Sequence, residues 1–132
     1  MRFSKEDGGN GGNGADYRYD RELPNGTYDA DVLDSREDKS KKGNDMVVIS
    51  FGVTGPHGGV RIDEYVVGFF VPKVDAMIRS LAPDQIDSWE SSGEVDLNPR
   101  DLVGRSCRLE VKNEEWEGRP RPKVSKMLPL EM

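Results

Sequence analysis

The chain has 132 residues, of which 34% are hydrophobic and 33% charged, with a formal net charge of -6. That length suits one domain with a real core, while the low apolar and high charged fractions leave part of the chain unable to repay the entropy of ordering. The negative balance argues against a protein that coats duplex DNA through a general basic face, and one cysteine with one histidine excludes an internal disulfide and a zinc site built from those two alone.

Residues 1–22 read as a flexible tail, because 5–16 are rich in glycine and asparagine and carry nothing apolar larger than Ala15; the alternative is that Phe3, Tyr17, Arg18 and Tyr19 add stacking contacts or dock a neighbouring subunit. The folded domain is then expected over 23–132. Leu23-Pro24-Asn25-Gly26 has turn chemistry, and residues 27–34 alternate with period two, placing Tyr28, Ala30 and Val32 on one face of a first strand. Residues 35–45 are polar and end in a turn at Gly43-Asn44-Asp45. Residues 46–53 follow as a β-branched second strand, with Val47, Ile49, Phe51 and Val53 inward and Met46, Val48 and Ser50 outward. A glycine-rich turn around His57 joins this to a third strand at 60–67, where Arg61, Asp63 and Tyr65 form an outward set.

The period then changes. Pro72 suits a helix start, and Val74, Met77, Ile78 and Leu81 make one apolar stripe that Pro83 stops. Phe69 and Phe70, beside the helix start, are expected in the core. Residues 84–98 are acidic and without Lys or Arg, with Ile86 and Trp89 as anchors of one or two turns; Asn98-Pro99 looks like a cap and first position of a short turn ending at Gly104. Residues 106–112 alternate as strand four, with Cys107, Leu109 and Val111 inward. A loop at 113–120 leads to a fifth strand at 123–127. The order β-β-β-α-β-β predicts a mainly β domain, an OB-fold-like five-stranded barrel with a disordered N-terminal tail. Other small barrels and α+β sheets share that order. No apolar run approaches the roughly 18 residues of a membrane span, and the N-terminal MRFSKEDGG lacks the apolar stretch of a signal peptide, so the expected location is the cytoplasm.

Four segments carry a resemblance: Leu23-Pro24-Asn25-Gly26-Thr27-Tyr28, Ser40-Lys41-Lys42-Gly43-Asn44, the run from Asp96 to Gly104 (DLNPRDLVG), and Glu115-Trp116-Glu117-Gly118-Arg119. In this order they resemble a family of small phage and prophage proteins, long catalogued as a domain of unknown function and similar to single-stranded-DNA-binding OB-fold proteins. The resemblance implies an OB-fold, single-strand binding, the cytoplasm of a bacterial host, and work beside replication or recombination enzymes.

The residues themselves point the same way. Lys39, Lys41 and Lys42, with Gly43 and Asn44 to turn the backbone, occupy the loop that flanks the ligand groove in OB-folds, and the loop between strands four and five offers Trp116 with Arg119, Arg121 and Lys123. Cations following phosphates and an aromatic face stacking bases are what single-strand binding requires. Arg61 and Tyr65 are candidate contacts on the groove floor. A solvated lysine loop and a tryptophan folded onto the barrel end are the plainer alternatives. The expected partner is single-stranded DNA, with a phage recombinase or replication protein and further copies of the chain as others; no cofactor, metal or membrane is called for. No catalytic constellation is visible, because His57 has no partner nucleophile and the acidic series from Asp29 to Asp38 breaks the calcium-loop pattern at Leu33, Asp34 and Ser40. The rival reading is a protein-interaction module that binds a replication, recombination or host-defence protein without touching DNA.

Overall fold

A computed structural model describes residues 16–130. It is mainly β: one five-stranded antiparallel sheet in the order β3-β2-β1-β4-β5, with β1 at Gly26–Lys39, β2 at Asp45–Gly55, β3 at Gly58–Val67, β4 at Ser106–Trp116 and β5 at Arg119–Leu128. Between β3 and β4 lie helix α1 (Val71–Leu81), a 3-10 turn (Pro83–Gln85), helix α2 (Ile86–Ser92) and a second 3-10 turn (Pro99–Leu102). No helix among the described residues is long and apolar enough to cross a membrane.

Strand β1 serves two neighbours in turn. Residues 26–31 pair with β4 and residues 31–39 with β2, and the register skips Leu33, an extra residue where one partner hands over to the other. A bulge of this kind bends the strand and shifts its alternation by one, so that the inward set passes from even-numbered to odd-numbered positions. Val32 thus opposes Phe51 and Ser35 opposes Ile49, both toward the core. The β2–β3 register runs unbroken from Met46–Val67 to Gly55–Gly58, so Arg61, Asp63 and Tyr65 do share the outer face while Val60, Ile62 and Val66 enter the core.

Three expectations need correction. Val48 and Ser50 lie on the outer face with Tyr65 and Asp63, as expected, but form no exposed groove floor, because both are fully buried: Ser50 Oγ donates to Asp63 Oδ1 at 2.7 Å, and Val48 is flanked in register by Arg36 and Tyr65. Phe69 and Phe70, expected in the core, are exposed beside Val71, because α1 begins there and points its apolar stripe of Met77, Ile78 and Leu81 the other way. The loop expected at 113–120 is only two residues long. Glu117 (φ 51°) and Gly118 (φ 79°) both take the left-handed conformation of a tight hairpin turn, and β4 and β5 pair as far as Trp116–Arg119.

Pro120 and Pro122 fit within β5 because it is an edge strand. Asn113 donates its N–H to Asn25 Oδ1 (2.8 Å), away from β5, so Asn113–Pro122 is a non-hydrogen-bonded pair, and the missing donor of Pro122 faces the outer edge. Pro120, two residues earlier, faces the same way. No ladder joins β5 to β3, the other edge, among the described residues.

Of the segment expected to be a tail, residues 1–15 lie outside the described residues. Residues 16–22 lie against β3: Arg18 donates its N–H to Gly59 O (3.1 Å) and accepts from Arg61 N (2.9 Å) in a parallel bridge. Tyr17 sits where side chains at Gly52 and Gly59 would stand, since a Cβ there would come within 2.9 and 2.8 Å of its ring.

Helix α2 is tied to α1 by side chains. Trp89 Nε1 donates to Asp75 Oδ1 (3.0 Å), Arg79 Nε donates to both oxygens of Asp75, and Arg79 Nη2 donates to Glu90 (2.8 Å). The Trp89 indole, then Arg79, hold the Asp75 carboxyl below its ordinary value of 3.8. A depressed carboxylate contributes stability that is present above its unfolded value and lost as pH falls through the folded one. In a Trp116→Phe background, Trp89 fluorescence is therefore expected to change with acid about a midpoint below 3.8; a change centred near neutral pH would contradict this tie. Cys107 is fully buried, and burial pushes its thiol up to about 12, so it is no nucleophile at neutral pH.

Candidate functional site

The β4–β5 hairpin outgrows the sheet. From Glu114 to Arg121 every residue is exposed on both faces, so these residues form a two-stranded arm held by backbone pairing and tipped by Trp116, Glu117, Gly118 and Arg119. The arm stands beside β3, and the two edges enclose a groove.

At one end the groove is lined by Arg61, Asp63, Glu64 and Tyr65 of β3 with Glu114, Arg121, Pro122 and Lys123 of the arm. It continues past Tyr19, Arg121 and Pro122, common to both parts, to Asp20, Arg21, Glu22, Trp116 and Arg119. Six of the residues singled out in the sequence therefore meet here: Arg61, Tyr65, Trp116, Arg119, Arg121 and Lys123. Trp116 is 54% exposed and Tyr65 48% exposed, so each ring has a face available to a ligand. Arg121 lies over the Trp116 ring, its guanidinium 4.9 Å from the centroid, a cation–π contact that orients the indole from one side.

The groove's charges are mixed. Arg61, Arg119 and Arg121 have no carboxylate partner among the described residues, while Lys123 reaches Glu114 at 3.7 Å. Asp63 accepts hydrogen bonds from Ser50 and Tyr19, and the buried Glu64 carboxylate takes Lys73 Nζ at 3.2 Å and its neighbour's N–H at 3.0 Å. Asp20, Glu22 and Glu117 stand on the rim. With acids this close, the rings rather than the net field have to supply most of any affinity for a polyanion.

The other four singled-out residues sit elsewhere. Lys39, Lys41, Lys42 and Asn44 belong to the β1–β2 turn, beyond the Val67 end of β3. Asn44 is part of the turn itself: Ser40 N donates to Asn44 O (2.8 Å), Gly43 N to Ser40 O (2.8 Å), and Asn44 N to Ser40 Oγ (3.1 Å), with Gly43 at φ 84°. Lys39 is engaged across the hairpin by Asp45, whose hydrogen bond raises its pKa. Lys41 and Lys42 are exposed and unpaired among the described residues. Lys39 also borders a second groove, between this hairpin and α1, floored by Met46, Val47, Val66, Val74, Met77 and Leu97 and rimmed by Glu37, Asp38 and Asp45.

Sequence reasoning left Tyr19 in the flexible tail, with a stacking contact or docking to a neighbouring subunit as the lesser alternative. It is 58% exposed, its ring lies over Arg61 (5.3 Å), and its hydroxyl donates to the Asp63 carboxylate at 3.0 and 3.1 Å. The available signal was the period-two pair Tyr17–Tyr19, hidden beside the glycine run. Among the described residues no group of three or more His, Cys, Asp or Glu is placed to hold a metal ion. Neither a scan against protein-family models nor a search of curated proteins finds a match to the chain.

Proposed function

We propose that the protein is a non-enzymatic single-stranded-DNA-binding accessory factor, of the phage replication and recombination type that its sequence resembles. It protects single strands or presents them to enzymes of those processes. The observation that carries this reading is Trp116, half-exposed on a projecting arm, with Arg121 against one face and the other open toward a groove that also holds Tyr65. Bases stack on such rings whatever their identity, and the arginines take the phosphates, so the binding has little sequence preference. The strand order β3-β2-β1-β4-β5 supports an OB-fold, in which β3 and β5 approach to close the barrel and a ligand crosses the face beside them.

The test is titration of the protein into a labelled dT oligonucleotide of about 30 bases, and into its duplex, at two salt concentrations. The single strand is expected to bind more tightly than the duplex. Counting, among the described residues, the three groove arginines without a carboxylate partner and the two turn lysines, the slope of log K against log salt should be about -3.5. Equal or tighter duplex binding, or no binding at low salt, would overturn the proposal.

A second reading has its own observation. The groove between the β1–β2 hairpin and α1 has an apolar floor and three carboxylates against one lysine on its rim, which suits a basic, apolar-faced segment of a replication or recombination protein. Binding there without any affinity for DNA would make the chain an interaction module.

A further inference from the structure

We infer that residues 16–22 are part of the nucleic-acid surface and that Tyr19 is a base-stacking platform in the middle of the groove. The inference rests on the single-strand reading above and adds a residue and a segment to it. Tyr19, with Arg121 and Pro122, lines the groove both beside Tyr65 and beside Trp116, so the three rings succeed one another along a single path, exposed by 48, 58 and 54% in the order Tyr65, Tyr19, Trp116.

Its surroundings are those of a held ring. Arg61 backs one face at 5.3 Å, as Arg121 backs Trp116 at 4.9 Å, so the groove repeats an arginine-backed aromatic twice. The hydroxyl is fixed by Asp63, which is itself fixed by Ser50. Behind the ring, the backbone is seated by the Arg18 bridge to β3 and by Arg21, whose Nη1 donates to Asp16 O (2.7 Å) and Gly59 O (2.9 Å). The arginine passes so close to Gly58 that a Cβ there would lie 2.7 Å from Nη1. A ring already immobilised loses little rotamer freedom when a base stacks on it. The segment therefore presents a preformed contact to the strand.

The experiment compares wild type, Trp116→Ala, Tyr19→Ala, Tyr19→Leu and Tyr19→Phe for binding of the labelled dT oligonucleotide. Tyr19→Ala and Tyr19→Leu are expected to weaken binding by roughly 5- to 150-fold, the range for one stacked base. Tyr19→Phe, which keeps the ring and loses the anchor, should stay within about threefold of wild type. Exchange protection of the Arg61 amide, whose N–H is held by Arg18 O, reports whether the segment stays seated in each variant. Wild-type binding that falls with Trp116→Ala and is unchanged with Tyr19→Leu overturns the role of Tyr19 alone. Tighter binding by Tyr19→Ala also overturns it, because the segment would then be covering the surface. Failure of wild type to bind removes the single-strand reading and this inference together.

Discussion

Replacing Trp116 and Tyr65 together by alanine is expected to weaken binding of a dT oligonucleotide by about 2–6 kcal/mol, the sum of two stacked bases. The two rings line opposite ends of the groove, while Tyr19, Arg121 and Pro122 line both parts, so the sum is the uncoupled limit and any departure from it measures coupling through these shared neighbours. Both side chains are about half exposed, and neither belongs to the core cluster, so the unfolding midpoint should hardly move. A double variant no weaker than Trp116→Ala would mean that the strand leaves the groove before it reaches Tyr65. Titration at one fixed salt concentration decides this, because the two substitutions leave the charges untouched.

Phe51→Ala should have the largest effect on the fold. Phe51 is fully buried and stands opposite Val32 on β1 and Ile62 on β3, with all three in the core cluster. Truncating a buried phenylalanine costs about 3–5 kcal/mol through lost transfer energy and the cavity left behind. Domains are commonly stable by only about 5–15 kcal/mol, so this is a large share of the whole. In urea denaturation the midpoint should fall with the slope unchanged. A loss below about 1 kcal/mol would mean that the inner face of β2 collapses around the gap at little expense.

The elements that were legible in the sequence are those whose residues bury one face. The stripe of Met77, Ile78 and Leu81 predicted α1 and its inward side, and Cys107, Leu109 and Val111 predicted the inner half of β4; all are buried. The arm escaped because neither of its faces is buried: from Glu114 to Arg121 the strands are held by backbone pairing and a left-handed turn, which leave no alternation of apolar and polar residues to read. Its prolines also look like strand breakers until the strand is known to be an edge. Phe69 and Phe70 misled in the opposite direction, since an apolar side chain near a core need not enter it. Within the candidate site, residue type was legible and position was not. Trp116, Arg121 and Tyr65 declare their chemistry, but that Tyr19 joins them depends on a bridge between Arg18 and β3 that no local pattern encodes.

The prolines of β5 also bear on how the molecule behaves in a crowd. A sheet propagates from chain to chain only if each copy offers a receptive strand on both of its borders, one to accept a neighbour and one to be accepted. With Pro120 and Pro122 turning their missing donors outward, one border is blunted along the arm, and the start of the other is already occupied by Arg18. Copies crowded close together, arms exposed, therefore lack the means to zip into a fibril.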